Sequence, residues 1–260
     1  MPEAVIYEVV DRVARITLNR PDRRNAINRN VVEGLTHALD EAEADDRVRV
    51  MVLTGAGDVF SAGADLEELK VMEPATDTEN LADSERLARL FERIYRTPKP
   101  VIARVNGHAI AGGCGLAAVC DFSIVADHAR LGFTEVRIGF VPAIVSVFVL
   151  RKVGEAAARD LLLRGRLLTA AEAAEIGLVT RAVSGSALDQ AVDELAAELA
   201  RETSATAVAL TKKVLAEVRD LPLSEALSNA ARVNAFARTT KDCRTGIAAF
   251  LSKTAPPWKR

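Results

Sequence analysis

Between Asn106 and Asp121 the sequence reads NGHAIAGGCGLAAVCD, and glycines 112, 113 and 115 fall where a short apolar strand gives way to a helix-like stretch. Inside a helix each glycine costs about 1 kcal/mol relative to alanine, so bare backbone here serves something other than helix propensity. The N–H groups of a helix's first turn have no internal partner and point along the positive end of its dipole. With no side chain in front of them, a substrate oxygen can approach closely. A second glycine-bearing loop, Gly55 to Leu66, also follows a strand and leads into a helix. Two such loops at neighbouring strand ends can offer one N–H each to a single developing oxyanion, the arrangement that stabilises enolates and tetrahedral intermediates. Spacing alone leaves another reading open, in which both loops are tight turns that use glycine for positive φ and close packing.

Acid–base chemistry at such a place needs a titratable group. Glu135 stands next to the apolar run Ile138 to Leu150, where burial favours the neutral carboxyl and tunes it for proton transfer at carbon. By type and position alone, a solvated residue at a helix start is the commoner reading of such a glutamate. Asp65 reads as the cap of a helix beginning at Leu66, and His108 as packed or hydrogen-bonded on the strand before the glycines. Ser61 and Ser146 read as local turn or helix hydroxyls, and Cys114 and Cys120 as small core residues. No G-x-S-x-G elbow supports a serine hydrolase.

The elements that must position these residues alternate through the first two-thirds of the chain. Val13 to Leu18, Val48 to Thr54, Pro100 to Val105 and Phe122 to Ala126 read as strands, several closed by turn residues. Helix-like segments lie at 28–44 and 80–96, the second with Leu81, Leu87, Leu90, Phe91 and Ile94 on one face. After Leu131 the pattern turns mostly helical. From about 187 onward it is Ala- and Leu-rich amphipathic helix, whose stripe through Leu188, Val192, Leu195 and Leu199 predicts self-association.

With 260 residues, 49% of them hydrophobic, the chain holds one large core or a core plus an appendage. Thirty-four Lys and Arg against 36 Asp and Glu leave no electrostatic footprint for nucleic acid or an anionic membrane. Val141 to Leu150 is short of the roughly 20 apolar residues that span a bilayer, and no secretory leader is visible. Three cysteines without C-x-x-C spacing and histidines only at 37, 108 and 128 offer no zinc set. The expectation is a cytoplasmic, reduced, metal-free protein.

Three segments in order, F-S-A-G-A-D-L at 60–66, N-G-H-A-I-A-G-G at 106–113 and T-E-V-R-I-G-F-V-P-A at 134–143, resemble the signatures of the enoyl-CoA hydratase/isomerase family, the crotonase superfamily. L-N-R-P at 18–21, N-A-I-N at 25–28, the pattern at 161–179 and the ending G-I-A-A-F-L-S-K at 246–253 extend the resemblance along almost the whole chain. It implies an α/β fold: a crotonase spiral of strand-strand-helix repeats over residues 1–200 and a C-terminal helical trimerisation part over 201–260. It maps an oxyanion hole onto the N–H groups of Ala64 and Gly112, holding the thioester carbonyl of an acyl-CoA, with Glu135 as acid/base. Arg24, Ala26, Ala62, Asp65, Leu66 and Gly113 become substrate-binding positions, and Phe250 and Lys253 resemble residues that reach a neighbouring subunit's nucleotide. No cofactor is implied, since coenzyme A is part of the substrate, and the partners implied are acyl-CoA and further copies of the chain, as a trimer or a dimer of trimers.

Two departures stand out. Typical hydratases of the family carry a first glutamate where this chain has Gly115, and a CoA-contacting lysine where it has Glu67. One carboxylate suffices to move a proton between carbons, so Δ3,Δ2-enoyl-CoA isomerisation stands beside hydration of a 2-enoyl-CoA, including branched ones such as methylglutaconyl-CoA. A catalytically inactive structural role, or RNA binding as in some proteins of this fold, is the reading from another class.

Overall fold

The computed structural model describes residues 3–71 and 73–259. It opens with a hairpin, β1 (Val5–Val10) antiparallel to β2 (Val13–Leu18), whose turn places Asp11 and Arg12 at positive φ. Helix α1 (Arg29–Ala44) starts at an Asn28 side chain that accepts the Val31 N–H, and its buried Val31, Val32, Leu35, Ala38 and Leu39 recur at helical spacing.

Three strand–strand–helix turns follow. The first runs β3 (Val50–Gly55), β4 (Val59–Ser61), then α2 (Leu66–Val71) and α3 (Asp77–Arg96). The second runs β5 (Val101–Val105), β6 (His108–Ile110), α4 (Gly112–Val119). The third runs β7 (Phe122–Ala126), β8 (Arg130–Gly132), a 3-10 turn at Glu135–Ile138, and α5 (Ala143–Arg164), which is broken by a kink at Gly154. In each turn the first strand joins one sheet and the second joins another. The larger sheet has the order β1-β2-β3-β5-β7-β10, parallel beyond the first pair, and the smaller has β4-β6-β8-β9. This is the spiral expected from the sequence.

The mostly helical reading after Leu131 missed β9 (Leu167–Thr169) and β10 (Arg181–Val183), because three-residue strands are too short to display an alternation. Helix α6 (Ala170–Glu175) lies between them, starting at a Thr169–Glu172 capping box. Along α3 the inward face is narrower than expected: Leu90, Phe91 and Ile94 are buried, whereas Leu81 is 59% exposed.

One core lies between the sheets and helices α1 and α3 to α6. A second covers the opposite face of the larger sheet, where α7 (Leu188–Glu202) lays Leu188, Val192, Ala196 and Ala200 on Val50, Val52, Ile102 and Ile124. The stripe expected to drive self-association is therefore covered within the chain. Helices α8 (Ala205–Val218), α9 (Leu223–Ala237) and α10 (Lys241–Leu251) instead leave Leu215, Leu223, Leu227, Phe236, Ile247 and Leu251 exposed. No helix among the described residues is long and apolar enough to cross a membrane.

Candidate active site

The smaller sheet explains how residues far apart in sequence meet. β4, β6 and β8 are adjacent and parallel, so their carboxyl ends lie side by side at one edge. Ala64 follows β4, Gly112 follows β6 and Glu135 follows β8. Strand ends of this kind are where α/β folds assemble their sites.

The two loops are locked against each other. Gly63, at φ +87°, has no room for a side chain, because a Cβ there would lie 2.8 Å from both Ala111 Cβ and the Ile110 carbonyl oxygen. Ser61 Oγ accepts from the Gly63 N–H and donates to the Asn25 carbonyl, and Ile27 bridges Ala64 in parallel. Ala111 sits at φ 53°, ψ −126°, a conformation costly for any residue with a Cβ, and it turns the chain into α4. The N–H groups of Ala64 and Gly112 find no acceptor among the described residues.

The glycines of α4 differ in purpose. A Cβ on Gly113 would lie 2.4 Å from the Ser61 carbonyl oxygen, and one on Gly115 would lie 2.3 Å from Val145 Cγ1 and 3.0 Å from Phe91 Cε1. Both are packing glycines. A Cβ on Gly112 would meet nothing closer than Ile27 Cδ1 at 3.5 Å, and would stand 3.9 Å from the Ala64 nitrogen. The protein has room for a methyl group at this position, and that methyl group would crowd the two free N–H groups.

Glu135 opens the 3-10 turn as a buried residue, 8% exposed, and its Oε2 has no hydrogen-bond partner among the described residues. Burial pushes its carboxyl above the ordinary glutamate range. A buried carboxyl with one unsatisfied oxygen costs stability. The next residues, Val136, Ile138, Phe140 and Val141, are exposed and apolar. No cluster of three potential metal ligands occurs among the described residues.

The sequence model for enoyl-CoA hydratase/isomerase matches residues 8–260. The chain belongs to the enoyl-CoA hydratase/isomerase family. It is 48% identical over 245 residues, covering 94% of this chain and 96% of the relative, to a Thermus thermophilus protein that bears an enoyl-CoA hydratase name. It is 33% identical over 255 residues, 96% of this chain and 95% of the other, to the short-chain-enoyl-CoA hydratase of Clostridium acetobutylicum. Its fold superposes on the crystal structure of an enoyl-CoA hydratase from Mycobacterium smegmatis with a TM-score of 0.91, at 31% identity and 99% coverage of both chains. The strand-strand-helix spiral is thus the crotonase fold.

In this enoyl-CoA hydratase/isomerase family member, the segment 20–27 lies along the Ala64 loop. Ala62 N–H donates to the Arg24 carbonyl, Ile27 N–H to the Gly63 carbonyl and Asp65 N–H to the Ile27 carbonyl. Two residues not singled out in the sequence hold this arrangement. Asn25, fully buried at positive φ, donates to the Ala56 and Val59 carbonyls and accepts the Arg20 N–H. Arg20 donates to the Ala26 carbonyl and pairs with Asp65 at 2.9 Å. Their signal was the L-N-R-P and N-A-I-N segments themselves, where a turn needs side chains able to replace backbone partners.

Asp65 also accepts the Glu67 N–H at the start of α2, as a cap would. Arg24 is exposed and pairs with no described residue, whereas neighbouring Arg23 meets Glu67 at 2.8 Å. Leu66 is 57% exposed. Phe250 stands exposed at the end of α10 and Lys253 exposed two residues past it. His108 accepts the Arg130 N–H, and Ser146 Oγ returns to the Ala143 carbonyl. Cys114 and Cys120 are buried, their thiols pushed up to about 12 by desolvation.

Proposed function

We propose that this protein is an enoyl-CoA hydratase that adds water across the 2,3 double bond of a 2-enoyl-CoA, with Glu135 as its single acid–base group. The observation that carries the reading is that adjacent strand ends bring two unpartnered N–H groups, Ala64 and Gly112, and a buried carboxyl with one oxygen unsatisfied to one edge of the smaller sheet. The thioester oxygen sits between the two N–H groups. Glu135 takes a proton from water as the water oxygen bonds to C3, the double-bond electrons move to the thioester oxygen, and the enolate is held by both donors. The Glu135 carboxyl then returns the proton to C2, so water is added and the carboxylate restored. A carboxyl raised above its ordinary range suits both halves of this cycle.

Isomerisation is the second reading, favoured by Val145 and Phe91 filling the space beside Gly115. With no second carboxylate there, the same Glu135 removes a C2 proton from a 3-enoyl-CoA and delivers it to C4. The deciding experiment supplies purified protein separately with a 2-enoyl-CoA and a 3-enoyl-CoA and follows the products by mass spectrometry. Hydration yields 3-hydroxyacyl-CoA from the first. Rapid 2-enoyl-CoA formation from the second, with no hydroxyacyl product from either, overturns it in favour of the isomerase.

A further inference from the structure

Helix α4 is held at its far end by an unusual group. Lys152, on α5, donates from Nζ to the Ala118 carbonyl at 2.7 Å and to the Cys120 carbonyl at 3.0 Å. These acceptors belong to the last turn of α4 and the residue just past it, where helical carbonyls have no internal partner. Among the described residues no carboxylate pairs with this ammonium; its neighbour Lys212 takes the nearby Asp121 and the Lys99 carbonyl instead. Burial lowers the Lys152 pKa, and the Asp121 carboxylate acts in the opposite direction. The carbonyls at the negative end of α4 are thus what Lys152 is seated on.

The same α5 grips α4 a second time, through Val145 packed over Gly115. A helix of eight residues spans about 12 Å, so Lys152 stands at one end of a short rigid rod and the Gly112 N–H at the other. Along that rod a positive charge behind the carbonyl end reinforces the potential felt by an oxygen at the N–H end, in a region from which water is largely excluded.

We propose that Lys152 is a positioning residue for the thioester-polarising helix: its ammonium fixes α4 along its axis and sets how strongly the Gly112 N–H pulls on the substrate carbonyl. The proposal rests on the reading of Ala64 and Gly112 as an oxyanion hole. It differs from a structural tether because it extends to the electronic state of the bound thioester. Lys152→Met keeps an unbranched stem and removes the ammonium.

The test uses the full chain and butanoyl-CoA labelled with 13C at the thioester carbonyl, a saturated ligand that cannot react, and reads the carbonyl stretch by infrared difference spectroscopy. Wild type is expected to lower the stretching frequency on binding, and Lys152→Met to lose about half of that shift. Turnover of a 2-enoyl-CoA should fall about 5-fold, with KM changed less than 2-fold. A folded Met variant with wild-type shift and kcat overturns the proposal, even if its Tm has dropped. If the Met variant does not fold, Lys152→Gln, which retains a donor for the carbonyls but no charge, is measured in its place against the same two outcomes. Absence of any shift in the wild type would instead refute the oxyanion-hole reading, so the two failures are distinguishable.

Discussion

Val145 occupies the space into which a side chain at position 115 would grow: a Cβ on Gly115 would lie 2.3 Å from Val145 Cγ1 and 3.1 Å from Val145 Cβ. The missing glutamate and the bulky apolar start of α5 are therefore one feature. Placing a glutamate at 115 alone tests overpacking rather than charge. Gly115→Ala should cost roughly 1–3 kcal/mol by overpacking, and the Gly115→Ala/Val145→Ala double variant should cost less than the sum of the two single changes. Denaturant unfolding of the four proteins measures the coupling; strict additivity would show that the two residues do not meet.

Gly112→Ala separates the reactive glycine from the packing ones. The site has ordinary van der Waals room for the methyl group, so stability should hold or rise by about 0.4–1 kcal/mol, the usual effect of Gly→Ala where the backbone is compatible. Turnover should nevertheless fall by about 10²-fold, the scale of a lost oxyanion donor. A melting curve and a steady-state assay on the same preparation suffice. Near-normal activity in the stable variant would remove this loop from the site.

Glu135→Gln should lower turnover by about 10²-fold or more, the usual worth of a positioned acid or base. Its stability effect has a definite sign. The folded carboxyl titrates above its unfolded counterpart, so in the window between them the native state binds more protons, and stability is lost as pH rises through the folded value. The Gln variant escapes that loss: its Tm should exceed that of wild type at neutral pH, and the gap should close as pH falls below the ordinary glutamate range. Parallel melting curves across pH check this, as does an acid limb of kcat/KM lying above that range in the wild type.

Arg24 is exposed, with no ion-pair partner among the described residues, beside the loop that carries Ala26. If it meets a CoA phosphate, Arg24→Ala should raise KM about 3- to 10-fold for the CoA thioester and leave kcat alone, with the penalty shrinking at high salt. The same acyl group on N-acetylcysteamine, which has no phosphates, should show no difference between variant and wild type.

The exposed Leu223, Leu227, Phe236, Phe250 and Leu251 on α9 and α10 are 77%, 62%, 57%, 84% and 75% accessible in one chain. Such a concentration of apolar surface is uncommon on a monomer. Light scattering at micromolar concentration should give a mass of three chains or a multiple of three, and Leu223→Asp should reduce it. A wild-type monomer would refute the expectation.

The long elements were legible in the sequence because their periodicity is a local property: α1, α3 and strands β2, β3, β5 and β7 follow the apolar pattern. The burial expected of Glu135 holds, although the apolar residues that follow it, Val136, Ile138, Phe140 and Val141, are themselves exposed. The three-residue strands β4 and β8 showed no pattern of their own, and β6 only the short apolar stretch before the glycines, yet their parallel pairing brings Ala64, Gly112 and Glu135 to one edge. Likewise, the stripe on α7 marked a buried face while leaving its partner unnamed, and that partner is the chain's own sheet. Residue types along the chain determined that bare backbone, a carboxyl and two glycine loops were present. Tertiary structure alone decided that Gly112 has ordinary van der Waals room for a methyl group while Gly113 meets Ser61 and Gly115 meets Val145, because what a glycine leaves room for depends on atoms that distant segments bring to it.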